Sequence, residues 1–236
     1  MPFVRMMRML SAMESGPLSG AALEALLQEP GRLGELQVLT ADRALLKRMQ
    51  SSNTTMQAVA GSTLAMPLVL DASDPDYLLT KQAGVLLASA IASQKMAAET
   101  RWRKAVINSH AALSHLVASP AGLNAFRSTA SAFTVRQYSN SGGALVNLSG
   151  LAGSGAKYLV LGASTESSAA FNVELRPYKA GVPIGLISIS AATGQDGVSG
   201  AGPMAMVIGG ESAVPQFMRT SAENAYFSLR LLRCDI

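Results

Sequence analysis

The chain has 236 residues, 49% hydrophobic and only 14% charged, with a net charge of +4 and a pI of about 9.4. That apolar content excludes wholesale disorder, and Lys and Arg spread along the chain give no concentrated patch of the kind nucleic-acid binding needs. Low charge on a chain rich in Ala, Ser, Gly and Met predicts a surface covered in an oligomer or a larger assembly. The single cysteine, Cys234, excludes an internal disulfide framework and fits synthesis in a reducing compartment. No apolar run with a small-residue cleavage site follows Met1–Arg8, so no secretory signal is expected. The most apolar stretch, Ala83 to Ala92, is too short to span a bilayer.

The first half reads as helix. Val4, Met7 and Leu10 recur at helical spacing, with Met6 and Met13 nearby. Ser19 is placed to cap a helix from Gly20 to Glu29, with Leu23, Leu26 and Leu27 on one face, and Pro30-Gly31 stops it. A third helix is predicted from Arg32 to Met49, with Thr40-Ala41-Asp42 able to break it and start a new one. Asp71 to Tyr77 reads as a loop. Its three aspartates lack the Gly and the distal Glu of a calcium loop, so a capping turn is the expectation. Thr80 to Ile107 then reads as one long Ala-rich helix.

A ten-residue period runs through this half. Ser52 to Gly61 and Ser62 to Asp71 align, with Met56 and Met66 in the fifth place and Val59 and Val69 in the eighth. Asp42 to Ser51 puts Leu46 and Met49 in those places. The pattern returns in Ser109 to Ala118 (Leu113, Leu116) and Ser119 to Ser128 (Leu123, Phe126), and lapses between Ala72 and Asn108. A small polar residue at the block start caps a helix, and apolar residues three apart share a face. Pro120 suits a first helical position. Each block would be a helix of roughly two turns, unstable alone and stable when stacked. The competing reading is a set of ordinary amphipathic helices in which Ala-rich sequence creates the period by chance.

The second half, from about Phe133, reads as strand. Candidate strands are Phe133 to Tyr138, Ala144 to Leu148, Lys157 to Gly162, Ala170 to Arg176, Ile184 to Ser190, Met204 to Ile208 and Tyr226 to Leu232. Phe171, Val173 and Leu175 take every second place. Short strands separated by Gly, Ser and Asn clusters predict an antiparallel β-sandwich or jelly roll, with the C-terminal strand tied into the sheet. The fold class is therefore α+β in two segregated parts: a helical domain over 1–128 and a β-domain over 129–236.

Nothing in the sequence assembles chemistry. His110 and His115, five apart on a helix, stand about 140° apart around its axis, which is poor for one metal. No Cys or carboxylate cluster completes a site. The run Arg101-Trp102-Arg103-Lys104 reads as a solvated helix face rather than a nucleic-acid contact. Ser149 to Lys157 departs from a phosphate loop, because Ala156 intervenes and a strand follows, so a hairpin turn is expected there. Gly197 to Gly202 reads as a flexible connection. Glu166, Glu174, Asp196 and Glu211 show no spacing that favours a glycosidase pair. No catalytic residue, cofactor or metal is predicted, and the chain is expected not to be an enzyme.

The run from Ser52 to Met66 resembles the Ala-Ser-Ser-Thr-Ala-Met decapeptides of some tailed-bacteriophage virion proteins. Leu23 to Glu35, followed by Ala41-Asp42-Arg43, is similar to the opening of the same proteins. The resemblance covers roughly residues 5 to 126 and departs at Pro67 and between Ala72 and Asn108. It implies a virion component of collar, neck, tail-fibre or head-decoration type, made in the bacterial cytoplasm. The N-terminal half would attach to other virion proteins, and the β-domain would project or oligomerise, with a trimer favoured. Met6, Met7, Leu10, Met56, Val59, Met66 and Val69 are the candidate partner-binding residues, as flexible Met-rich faces adapt to a partner. The alternative function is a receptor- or glycan-binding tail-fibre module, with Tyr138 and Tyr178 as the candidate glycan-binding residues.

Overall fold

The computed structural model describes residues 2–16, 18–139, 145–148, 151, 156–166, 171–179, 182–183, 187–191, 199–200, 206–209, 216–219 and 225–234. The chain divides into two compact units, Met1–Ala125 and Phe126–Ile236. Helices fill the first, and antiparallel sheet fills the second.

The helices are α1 (Pro2–Ser15), α2 (Gly20–Leu27), α3 (Arg32–Ala41), α4 (Arg43–Ser51), α5 (Asn53–Ala60), α6 (Ala65–Ala72), α7 (Pro75–Ala88), α8 (Ala90–Ala98), α9 (Thr100–Asn108), α10 (His110–Ala118) and α11 (Pro120–Ser128). Most are two to three turns long, too short to persist alone, so stacking on neighbours holds them. Gly31, with φ 84°, starts α3 from the left-handed region that glycine enters freely.

One device joins most of them. Asp42, Ser52, Ser89, Glu99 and Ser109 each stand as a single extended residue between two helices, with φ between −83° and −107° and ψ between 109° and 129°. Ser119 does the same at φ −110°, ψ 107°. Such a residue ends one helix and begins the next. The Ser52, Ser89, Ser109 and Ser119 N–H groups donate to the carbonyls of Met49, Leu86, Val106 and Leu116, three residues back, at 3.1–3.2 Å. Their hydroxyls accept from the N–H of Thr55, Ala92, Ala112 and Gly122, three residues ahead, at 3.0–3.2 Å. Asp42 accepts in the same way from Ala44 and Leu45, and Ser62 from Ala65.

These joints fall in two runs of strict ten-residue spacing: Asp42, Ser52, Ser62, then Ser89, Glu99, Ser109, Ser119. The fifth and eighth places, two helical positions on one stripe, point inward. Met49, Met56, Val59, Met66, Val69, Met96, Val106, Leu116 and Phe126 are fully buried. The period lapses after Ala72, as the sequence suggests, but it resumes at Ser89 rather than after Asn108, in a different phase. The step from Ser62 to Ser89 is 27 residues, which is not a multiple of ten. Helix α7, 14 residues long, takes up the mismatch through a kink at Gln82 (φ −134°, ψ 16°). The expected single helix from Thr80 to Ile107 is therefore three helices, broken at Ser89 and Glu99. Glu99 is a good helix former by propensity, and the joint prevails over it.

In the second unit, β1 (Ala132–Ser139), β10 (Ala225–Arg233), β3 (Lys157–Glu166) and β7 (Ser199–Gly200) lie side by side in that order, and β8 (Met206–Gly209) also pairs with β3. A second sheet runs β2 (Leu145–Asn147), β9 (Gln216–Arg219), β4 (Phe171–Lys179) and β5 (Val182–Pro183), with β6 (Ile187–Ala191) also on β4. Every pairing among the described residues is antiparallel. One core draws on both sheets: Val135, Tyr158, Val160, Ala163, Ile208, Leu229 and Leu231 from the first, Phe217 from the second, and Leu148 just past β2. The last strand, β10, sits between β1 and β3. The Cys234 N–H beyond it donates to the Lys157 carbonyl at 3.0 Å.

Three short strands were not legible: β5, β7 and β9. The segment read as a flexible connection holds β7, which pairs Ser199 and Gly200 with Thr165 and Ser164. Strand β9 shows one buried aromatic, Phe217, in four residues, yet it pairs with both β2 and β4.

Candidate functional site

The predicted partner-binding residues form the interior of the helical unit. Leu10, Met56, Val59, Met66 and Val69 have no exposed surface, so their apolar faces are covered by the chain itself. This corrects the expectation that they meet another protein. The ten-residue stripe buries each block against its neighbours in the same unit, and little of it is left for a partner. Met7 is half-buried, and the Met6 side chain lies outside the described residues. Among the described residues, the large hydrophobic side chains left exposed are Val38, Val117 and Tyr226.

The basic run at 101–104 is not a solvated face. Trp102 is fully buried. Arg103, also buried, donates from Nη1 to the carbonyls of Ala97 and Ala98 at 3.1 and 2.9 Å and from Nη2 to Thr100 Oγ1 at 2.9 Å. It thereby satisfies the last carbonyls of α8, where a charged donor is favoured. Arg101 reaches the Leu70 carbonyl at 2.8 Å, at the end of α6. Lys104 is exposed. The cations of this run thus work mainly on helix ends.

The acidic side chains do comparable work. The Glu24 carboxylate accepts from the Ser62 and Thr63 hydroxyls and, at 3.1 Å, from the Leu64 N–H, so α2 caps the entry to α6. Burial pushes its pKa up, but these donors outweigh that and hold it below the ordinary 4.5. Burial likewise raises Glu99, and hydrogen bonds from Lys95 and Arg101 more than reverse it. Asp74 accepts from the Tyr77 N–H at 3.0 Å and precedes Pro75. The Asp71 to Tyr77 segment is therefore a capping turn shorter than read, with Ser73 and Asp74 alone between helices. No group of three potential ligands for a metal occurs among the described residues.

His110 and His115 are both exposed on α10, and the His115 ring lies against Gly84, 3.1 Å from where a Cβ there would stand. The proposed hairpin at Ser149 to Lys157 falls mostly outside the described residues; its last residue, Lys157, opens β3. Glu166 and Glu174 lie on different sheets, and Asp196 and Glu211 are outside the described residues.

The two candidate glycan-binding tyrosines are separated. Tyr138 is on β1 of the first sheet, and Tyr178 is on β4 of the second, opposite Gln216 and Pro183. Tyr138 instead stands opposite Tyr226 of β10. The Arg136 guanidinium lies 4.0 Å from the centre of the Tyr226 ring. Sequence alternation could have found this neighbour, since Tyr226 opens the last predicted strand.

No helix among the described residues is long and apolar enough to cross a membrane. No family model matches the chain, and no curated protein matches its sequence.

Proposed function

We propose that the chain is a non-enzymatic structural component of a tailed-phage virion, its helical unit attaching to the particle and its β-unit projecting or oligomerising. The observation that carries this is the ten-residue block. The resemblance rests on the run from Ser52 to Met66, and the same single-residue joint recurs at Ser89, Glu99, Ser109 and Ser119, capped by the side chain at the three serines, well beyond that run. Such an array is a rigid body of closely similar pieces, with a core of its own and an outer face free to differ from block to block. In this reading partner contact runs over the outward positions, around Val38 and Val117, rather than through the buried methionines. The shared core of the two sheets supports a sandwich or jelly-roll arrangement, a form common in projecting modules.

The test has two parts. Light scattering on the purified full-length protein measures mass, with a multi-copy species, a trimer by preference, expected at micromolar concentration. Mass spectrometry of purified particles from the phage that encodes it should find the protein at stoichiometric abundance. A dispersed monomer that is also missing from particles would end this reading.

A further inference from the structure

Helix α4, the turn before it and the turn before α7 border a cavity of about 430 Å³. Its walls come from the end of α3, one face of α4, the last residue of α6, and the first turn of α7 with its capping residue Asp74. All of it lies within the helical unit. The size falls inside the roughly 300–1,000 Å³ of small-molecule sites.

Two cations line it without an acid to answer them. The side chains of Arg43 and Lys47, one turn apart on α4, make no ion pair and no hydrogen bond among the described residues. Lys47 holds its ammonium 5.3 Å from the centre of the Tyr77 ring. Like charges at this spacing repel one another. Elsewhere in the helical unit Arg32, Arg48, Lys95, Arg101 and Arg103 are each bound to carboxylates or carbonyls. The same walls carry acceptors. Gln50, 2% exposed, donates from Nε2 to Ser73 Oγ at 2.6 Å, and its amide oxygen has no hydrogen-bond partner among the described residues. An amide oxygen on so buried a side chain calls for a donor. Thr40, also buried, gives its hydroxyl proton to the Gln37 carbonyl at 3.0 Å, so toward a ligand it can only accept. Asp74 takes the Tyr77 N–H on Oδ1 at 3.0 Å and has a second oxygen to offer.

From this we infer that the cavity binds a sugar phosphate, with the phosphate at Arg43 and Lys47 and sugar hydroxyls donating to Gln50, Thr40 and Asp74. A guanidinium and an ammonium one turn apart reach different oxygens of one tetrahedral dianion, whereas a planar carboxylate is matched by a single guanidinium fork. A bare anion would leave the acceptors of Gln50 and Thr40 unanswered, and a neutral sugar would leave the cations so. A nucleic-acid backbone would ask for a longer line of cations than this cavity holds. The site goes beyond the structural role proposed above and does not depend on it.

The test uses the full chain, titrated by calorimetry with ribose 5-phosphate, glucose 6-phosphate and AMP, and with inorganic phosphate and ribose as the two halves of the ligand. Saturable binding of at least one ester is expected, about tenfold tighter than inorganic phosphate, the step that a hydrogen bond or two from the sugar provides, with ribose silent. A free sugar phosphate and a mononucleotide share this chemistry; the tighter of the esters tells which of the two the cavity prefers, and either preference supports the site. Arg43→Gln and Lys47→Gln should each weaken the ester about tenfold. Lys104→Gln, which removes an exposed cation of the same unit away from the cavity, should leave it unchanged. All three changes are at exposed positions, and circular dichroism verifies that the variants fold. Silence toward every ester, inorganic phosphate bound as tightly as the best ester, indifference to both cavity variants, an equal loss in Lys104→Gln, or tighter binding of oligothymidylate would each overturn the assignment.

Discussion

Gly20, the first residue of α2, lies against the backbone of Gly61 at the end of α5, so close that a Cβ on Gly20 would overlap the Gly61 main chain. A few residues away Glu24 binds Ser62 and Thr63, so two separate contacts fix α2 on the joint that precedes α6. Backbone on backbone leaves no flexible side chain to move aside. Gly20→Ala is therefore expected to cost about 1–3 kcal/mol, as overpacking does. Gly34→Ala, in α3 with nothing near its Cβ position, should instead stabilise by about 0.5–1 kcal/mol through helix propensity. Thermal unfolding of the two variants side by side checks the sign of each.

The joint serines differ in what they hold. Within these hydrogen bonds Ser109 caps α10 alone, by accepting from Ala112. Ser119 is buried, accepts from Gly122 and also donates to the Leu87 carbonyl at 2.6 Å, 32 residues earlier. Ser109→Ala should cost about 1 kcal/mol, the ordinary loss of a cap. Ser119→Ala also takes the shorter of two hydroxyl donors from the buried Leu87 carbonyl, which keeps the Ser93 hydroxyl at 3.2 Å, for a total of about 2–3 kcal/mol. Denaturant melts give the difference directly, and equal midpoints for the two variants would refute the distinction.

The same joints show why the sequence was legible in some places and opaque in others. Ser19, Asp42, Ser52 and Ser62 announce their helices because a capping residue precedes apolar positions at helical spacing. The division into a helical half and a strand half follows from periodicity alone. Glu99 gives no such signal. It lies in an Ala-rich run, favours helix by propensity, and makes no side-chain cap of its own; its carboxylate turns to Lys95 and Arg101. What marks it is its distance of ten from Ser89 and Ser109, visible only once the phase shift in α7 is allowed. Whether an apolar stripe meets another chain or its own is a different matter. Met56 and Val59 look identical in either case, and only the path of the neighbouring helices decides it. Strand β9 escapes for a related reason: one inward Phe217 in four residues is below what alternation can register.

Arg103 occupies the fifth place of its block, where Leu46, Met56 and Met66 stand in others. It differs because α8 ends at Glu99 without a serine, and the guanidinium supplies donors to the carbonyls of Ala97 and Ala98. Arg103→Ala removes those donors and leaves a void, and is expected to cost about 3–5 kcal/mol, as breaking a buried polar cluster does. Arg103→Met refills the volume and restores the block pattern, so it should recover a measurable part of that loss. If the two variants melt together, packing at this place is immaterial and the donors alone matter.

Acid should loosen the helical unit at two points. In the folded chain Glu24 and Glu99 titrate below their usual range, despite burial that pushes the other way, because hydroxyl, amide and cationic donors favour the ionised form. A carboxyl whose pKa is lowered by folding contributes stability above its unfolded value, near 4.5, and that contribution disappears as the pH falls through the folded value. The melting temperature should therefore be insensitive to these groups at neutral pH and drop as the pH goes below about 4.5. Glu24→Gln keeps an acceptor for Ser62 or Thr63 but cannot titrate. It should start less stable at pH 7 and lose less between pH 5 and pH 3 than the parent chain. A parallel decline of both proteins over that interval would show that Glu24 does not couple protons to the fold.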